Sequence, residues 1–563
     1  MNLFAKAGLI STFCGLMLSP AIAQGNNHSF AGAYLAANSA IKNNELEAAS
    51  SYLTRALVRA PQNEALMNAL IYNQIALGKV DAAVPVAKLL LAANPENRTA
   101  ILAVTAKMMK TGDGLDPSFG QESDNIFNLL MAWSDLGQGD MTNALARFDT
   151  IAEVPGFKNF AFGQKALALA LVGDYQGADD ILSGRAHGTM TATRRSVISH
   201  AQILSQLDRP AAALELLDSI FPNSSNPEIV AMRTLLVAGA PVVFDRITSA
   251  TDGQAEVLFE LANFLDGDGD ANSALLYGRL AEYLRADFTA ATLMVARVLE
   301  DIEQFDLATK AYERVSPEAY SYFEAEIGRS NALANSDKTE EAIEVLRKLA
   351  ETHGDNPSVH SALGDLFRGE SRFDEAAETY DKAIAMLGEP TSFHWIVYYS
   401  RAISLERTGH WEEAEGDFRY ALTLRPNHPA VLNYLGYSYV EKGENLDEAL
   451  EMIQTAVAER PTDGFITDSL GWAFYKLGRY QDAVEPMEKA VELTPLDPII
   501  NDHLGDVYWA VGRQREATFQ WRRAISFEPE ETDLERIRRK LDVGLDVVLQ
   551  EEGADPLPLT SGG

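Results

Sequence analysis

Cysteine is nearly missing: Cys14 is the only one in 563 residues. One cysteine cannot close an internal disulfide or build a cysteine zinc site. Cations are also short, with 47 Lys and Arg against 81 Asp and Glu and a formal net charge of -34. A field of that sign repels nucleic acid and anionic membrane surfaces, so neither is expected as a main partner. The nine histidines, His28, His187, His200, His353, His360, His394, His410, His428 and His503, stand singly. His353 and His360 are seven apart, but Gly354 and Pro357 stop one helix from carrying both. There is no HExxH, no GxSxG elbow and no P-loop. The stretch DGDGD at Asp266 to Asp270 fails the calcium-loop template, with Ala271 at the glycine position and Tyr277 at the bidentate acid, and reads as a turn. No metal or cofactor is expected.

Beyond the N-terminus no run of 18 apolar residues occurs, so the sequence predicts no membrane span. The N-terminus itself, MNLFAKAGLISTFCGLMLSPAIAQ, has Lys6, an apolar run from Ala7 to Leu18, and Ala21-Ile22-Ala23 before Gln24. That order predicts an export signal over residues 1–23, cleaved after Ala23, and hence a periplasmic chain. Phe13 precedes Cys14, where a lipid-anchored cysteine needs small neighbours, so Cys14 reads as part of the apolar run and is lost with it. A chain so processed has no thiol nucleophile and is held together by packing alone.

What the sequence does have is a period. Gly436, Gly471 and Gly505 each follow Leu at steps of 35 and 34, and Ala456, Ala490 and Ala524 recur at steps of 34. Pro426, Pro461, Pro495 and Pro529 keep the phase; Tyr439, Phe474 and Tyr508 lie three residues after each first Gly, and turn glycines follow at 443, 478 and 512. A period near 34 marks helical pairs, each unable to bury its apolar face without its neighbours. The pattern resembles the tetratricopeptide repeat, which implies an all-α, right-handed superhelical solenoid of antiparallel helix pairs, about a dozen here. The well-matched repeats span 357–529, with degenerate ones at 255–356 and 125–222 and an N-terminal pair at 30–97. Residues 98–124 and 223–254 read as irregular, 530–550 as a capping helix and 551–563 as a disordered tail. Pro85 and Pro486 fall inside second helices and predict a kink or a late start.

Acidic runs such as EEAEGDF read as solvated outer faces. The likeness to the repeat family implies groove-lining positions on first helices: Asp365, Tyr399, Asn433, Tyr437, Asp468, Trp472, Tyr475, Asp502, Asp506 and Trp509. Exposed aromatics beside acids suit a protein ligand with basic and apolar side chains. Arg513, Arg515, Arg522 and Arg523 form a basic patch, a candidate contact for an acidic partner. The run from Leu432 to Pro529 also resembles the terminal repeats of long envelope proteins of Gram-negative bacteria, one type of which is an outer-membrane lipoprotein that binds a carboxyl-terminal processing protease. That likeness implies a non-enzymatic protein-binding scaffold, as an adaptor between such a protease and envelope substrates; the missing lipid-attachment signature sets this chain apart. A general scaffold for outer-membrane, cell-wall or polysaccharide-export assembly is the alternative. Self-association through the solenoid ends and an enzyme site within 223–254 are the readings of other classes.

Overall fold

The computed structural model describes residues 30–120, 124–222, 224 and 226–554. The expected signal segment, with Cys14, and most of the expected tail lie outside them. All regular structure among the described residues is helical, gathered into two compact units that divide at Asp337 and Lys338.

The N-terminal unit opens with α1 (Phe30–Lys42) paired to α2 (Leu46–Arg59) and α3 (Glu64–Ala76) paired to α4 (Val80–Ala93). A full helix, α5 (Arg98–Thr111), follows where irregular chain was expected. Asn97 starts it by accepting from the Ala100 N–H, and Gly112 ends it at φ 74°. Among the described residues the non-helical stretch there is 112–120 with 124, and it holds one 3-10 turn, Pro117–Phe119. Three pairs come next: α6 (Asn125–Gly137) with α7 (Met141–Ala152), α8 (Lys158–Leu171) with α9 (Tyr175–Leu182), and α10 (Arg194–Gln206) with α11 (Pro210–Ile220). The second expected irregular segment is also part helix, α12 (Pro227–Val237), capped by Asn226. Only 238–249 is non-helical before α13 (Ala250–Gly267) begins.

α14 (Ala271–Leu284) closes a pair with α13, and α15 (Thr289–Asp301), α16 (Phe305–Tyr312) and α17 (Tyr322–Asn335) complete the unit. Asp270 caps α14 by accepting from the Ser273 N–H, so the DGDGD stretch is a helix connection. The α13–α14 pair returns to the start of the unit. Arg279 Nε donates to the Ala76 carbonyl at 3.0 Å, Lys110 Nζ to the Leu284 carbonyl at 3.0 Å, and Gln254 Nε2 to the Leu130 carbonyl at 3.2 Å. Gly253 allows this return, because a Cβ there would lie 2.3 Å from the fully buried Trp133 ring.

The C-terminal unit stacks pairs in order after α18 (Thr339–Thr352): α19 (Pro357–Gly369) with α20 (Phe373–Met386), α21 (Trp395–Arg407) with α22 (Trp411–Leu424), α23 (Pro429–Lys442) with α24 (Leu446–Glu459), α25 (Gly464–Lys476) with α26 (Tyr480–Leu493), and α27 (Pro498–Ala510) with α28 (Gln514–Ile525). Two more helices, α29 (Glu531–Val543) and α30 (Leu545–Glu551), sit where one capping helix was expected. Asp463 and Asp497 start α25 and α27 by accepting the N–H of Ile466 and Ile500. Gly443 and Gly478 turn the chain between helices at φ 69° and 72°, a region that costs other residues about 1–2 kcal/mol.

Each pair meets at a small residue. A Cβ on Gly364, Gly436, Gly471 or Gly505 would lie 2.7, 2.8, 2.6 or 2.4 Å from Tyr380, Ile453, Met487 or Trp521, respectively. Ala456, Ala490 and Ala524, which share the period, are fully buried. Pro85 and Pro486 lie inside α4 and α26, which nevertheless start at Val80 and Tyr480, so neither proline delays its helix.

Substitution at the crossings should follow the partner's freedom to move. Gly505→Ala, facing a Trp521 ring that is fully buried and hydrogen-bonded to Asp506, is expected to cost about 1–3 kcal/mol. Gly471→Ala, facing the flexible Met487, should cost less. Urea unfolding of both variants measures the order.

Candidate functional site

The predicted groove residues all lie on first helices of pairs: Asp365 on α19, Tyr399 on α21, Asn433 and Tyr437 on α23, Asp468, Trp472 and Tyr475 on α25, and Asp502, Asp506 and Trp509 on α27. Packing divides them into two sets.

The α25 and α27 set is consumed internally. Trp472 is 8% exposed; it stacks on His503 at 3.9 Å and on Tyr475 at 4.7 Å, and its Nε1 donates to Glu441 at 2.5 Å. Asp468 and Tyr475 are buried beside it. The Asp468 carboxylate lies 3.1 Å from His503 Nδ1. Asp502 and Asp506 are buried around Lys540, whose ammonium lies 2.7–2.9 Å from all four carboxylate oxygens and has no exposed side-chain surface. Trp521 Nε1 donates to Asp506 at 2.9 Å, and Arg536 lies 3.5 Å from it. Trp509 is half-buried and donates to Asp546 at 2.8 Å. The expectation of exposed aromatics and acids here is therefore corrected for Asp468, Trp472, Tyr475, Asp502, Asp506 and Trp509: neighbouring helices bury or half-bury each position, and His503, Glu441, Lys540 and Asp546 answer the polar groups of Asp468, of Trp472, of Asp502 with Asp506, and of Trp509.

Burial pushes the His503 imidazole down, but the Asp468 carboxylate, with Asp502 and Asp506 nearby, outweighs it and leaves His503 above its ordinary value. Burial lifts the Asp502 carboxyl above its usual range, against the pull of Lys540. His503, Lys540, Arg536 and Glu441 were absent from the expected site. The signal that could have found them is their placement on the neighbouring first helix or its capping equivalent, opposite an acid or an indole.

The basic patch is likewise divided. Arg513 lies 2.9 Å from Glu488 and 3.2 Å from Glu516 and sits over the Tyr508 ring, and Arg523 donates to the Pro495 carbonyl at 3.0 Å. Arg515 and Arg522 are exposed, and Arg515 lines a shallow cleft with Tyr508, Glu516, Phe519 and Gln520.

In the α19 to α23 set Arg368 lies 3.3 Å from Asp365, and one polar atom, Asn433 Oδ1, has no partner. Asp365 is exposed, accepting from the Tyr380 hydroxyl at 2.7 Å. Tyr399 and Tyr437 are half-buried, and burial with Glu441 and Asp468 nearby raises the Tyr437 phenol, keeping it a donor. Asn433 is 3% exposed and its Oδ1 accepts from no group. A buried acceptor left open costs about 1–3 kcal/mol, which an incoming N–H would recover. The set offers hydrogen bonds and apolar surface, which suit binding.

Among the described residues no three His, Cys, Asp or Glu side chains are placed to hold a metal, and no helix is long and apolar enough to cross a membrane.

Stacked helix pairs with polar groups left open on the first helices define a helical-repeat protein of the interaction-scaffold class. The Tetratricopeptide repeat family model matches residues 34–100, 327–389, 399–464 and 469–525. A TPR repeat-containing protein of Pseudomonas aeruginosa is 23% identical over 195 residues, which is 34% of this chain and 32% of that protein, so the match spans about a third of the relative. Among solved structures, the Cut9–Hcn1 hetero-tetramer of the APC/C aligns over 92% of this chain and 97% of that chain at 14% identity and a TM-score of 0.41. YrrB, a TPR protein with an unusual peptide-binding site, aligns over 30% of this chain and 86% of its own at 19% identity and a TM-score of 0.26.

Two measurements probe the internal network. Lys540→Met leaves two buried carboxylates facing each other and is expected to cost about 3–5 kcal/mol in denaturant unfolding. The raised His503 value means that its pair with Asp468 stabilises the unit fully below about pH 6.5 and fades as pH climbs through the folded-state value. The gap in urea midpoint between wild type and His503→Gln should therefore narrow with rising pH; a gap that widens contradicts the pairing.

Proposed function

We propose that this protein is a non-enzymatic, protein-binding scaffold of the bacterial envelope, exported to the periplasm, that brings a carboxyl-terminal processing protease to envelope substrates. Tetratricopeptide repeats indicate a protein-interaction scaffold. The envelope and protease parts rest on the likeness of Leu432 to Pro529 to envelope repeat proteins and on the export-type N-terminus. The observation that carries the binding reading is Asn433, whose buried Oδ1 has no hydrogen-bond partner, one helical turn before the half-buried Tyr437 on α23. The contact surface is accordingly narrowed to Asp365, Tyr399, Asn433 and Tyr437. An open acceptor one turn from a phenol suits a main-chain N–H together with apolar or basic side chains of the partner.

Crosslinking in intact envelopes followed by affinity capture tests this. Wild type should enrich a protease of that class at least tenfold over an Asn433→Ala, Tyr437→Ala variant, which removes no internal bond of Asn433 Oδ1 and should stay folded. Equal enrichment by both chains rules out this surface. Enrichment of outer-membrane, cell-wall or polysaccharide-export assembly proteins without a protease favours the general scaffold.

A further inference from the structure

Residues 238–249, AGAPVVFDRITS, connect α12 to α13, and 240–245 do so without helix or turn. Their side chains alternate. Val242, Phe244 and Ile247 are buried, while Pro241, Val243 and Asp245 are exposed. Such alternation is that of an extended strand laid on a surface.

That surface is α10, and it grips the main chain. Ser205 Oγ accepts from the Val242 N–H at 2.9 Å, and Gln206 Nε2 donates to the Val242 carbonyl at 2.7 Å. Gln202 Nε2 donates to the Asp245 carboxylate at 2.8 Å, and Arg285 donates to the Arg246 carbonyl at 2.7 Å. Phe244 meets the Tyr175 ring edge-on at 6.3 Å. α10 is consequently buried without a break from Val197 to Ser205. Main chain held by side chains, with alternate residues inserted, is how proteins hold a bound peptide rather than how a short connection crosses a surface.

The fit is incomplete. Gln202 is 6% exposed, and its Oε1 accepts from nothing while its Nε2 is committed to Asp245. A ligand offering one more N–H at that point would bind better than the strap does.

We propose that this groove on α10 is a second protein-binding site, independent of the surface on α19 to α23. Its ligand is an extended segment of a partner protein with the pattern aliphatic-x-aromatic-acid-basic-aliphatic, the basic position being that of Arg246, which lies 3.4 Å from the buried Glu256, and residues 240–247 occupy it in cis until displaced. The partner must overcome the high effective concentration of a tethered competitor. A contact to Gln202 Oε1 supplies the difference. Gly239, at φ 68°, and the Ser249 cap of α13 bound the segment that moves.

The test uses the full chain and a fluorescein-labelled peptide with the sequence of residues 239–249. In the Val242→Ala, Phe244→Ala variant the strap is weakened, and anisotropy titration should show at least tenfold tighter peptide binding than in wild type. Adding Ser205→Ala and Gln206→Ala should abolish the gain. A variant that unfolds as cooperatively as wild type but gains no binding overturns the proposal, as does one that instead forms dimers by exchanging straps. If the variant loses cooperative unfolding, hydrogen exchange on the wild-type chain decides. The proposal requires the peptide covering 239–249 to exchange well before that covering 197–206; equal protection overturns it.

Discussion

Close approach of two helices at a glycine is the constraint on which the C-terminal unit depends. With no Cβ at Gly364, Gly436, Gly471 and Gly505, the second helix in four of the five pairs sets a large side chain directly against the first. That contact fixes the distance within a pair and so the face each pair presents to the next. The buried alanines and the left-handed turns at Gly443 and Gly478 serve the same geometry. Core packing here is a property of neighbours, and no pair is complete alone.

The same dependence governs the polar groups. Asp468 takes its partner from the next first helix and Asp502 and Asp506 take theirs from α29, so the buried acids of the last repeats are neutralised by what stacks on them. Carboxylates that would repel one another in a bare groove become a means of holding helices in order. Asn433 lies at the corresponding place on α23, and no neighbour completes its oxygen. Asn433 is as buried as its acidic counterparts, and what sets it apart is an oxygen that no stacked helix answers.

Much of the fold was legible because the repeat letters are packing letters. Gly471 and Ala490 belong to the period, and the structure buries Ala490 fully and sets Met487 against the glycine. α5 and α12 were hidden because neither repeats the letters of the 34-residue period, although Asn97 and Gly112 bound the first and Asn226, Pro227 and Gly239 the second. The site was less legible. Trp472 and Asp506 carry the types of side chain a ligand would meet, but their fate depends on His503 and Lys540, residues of other helices that no periodicity within α25 or α27 reveals. Asn433 stood among the expected residues, but that its oxygen goes unanswered is visible only in three dimensions.

The return of α13 and α14 onto the first helices gives the two units different histories on the folding pathway. Tyr72 meets Asn272 and Arg279 meets Ala76, contacts between residues 200 and 203 positions apart. Closing so long a loop is slow, and it must precede burial of that seam. The C-terminal unit, built from neighbours in sequence, can grow pair by pair and tolerates duplication or loss of a repeat. The N-terminal unit has no such freedom, since removing any pair between α6 and α12 changes the span that α13 must close.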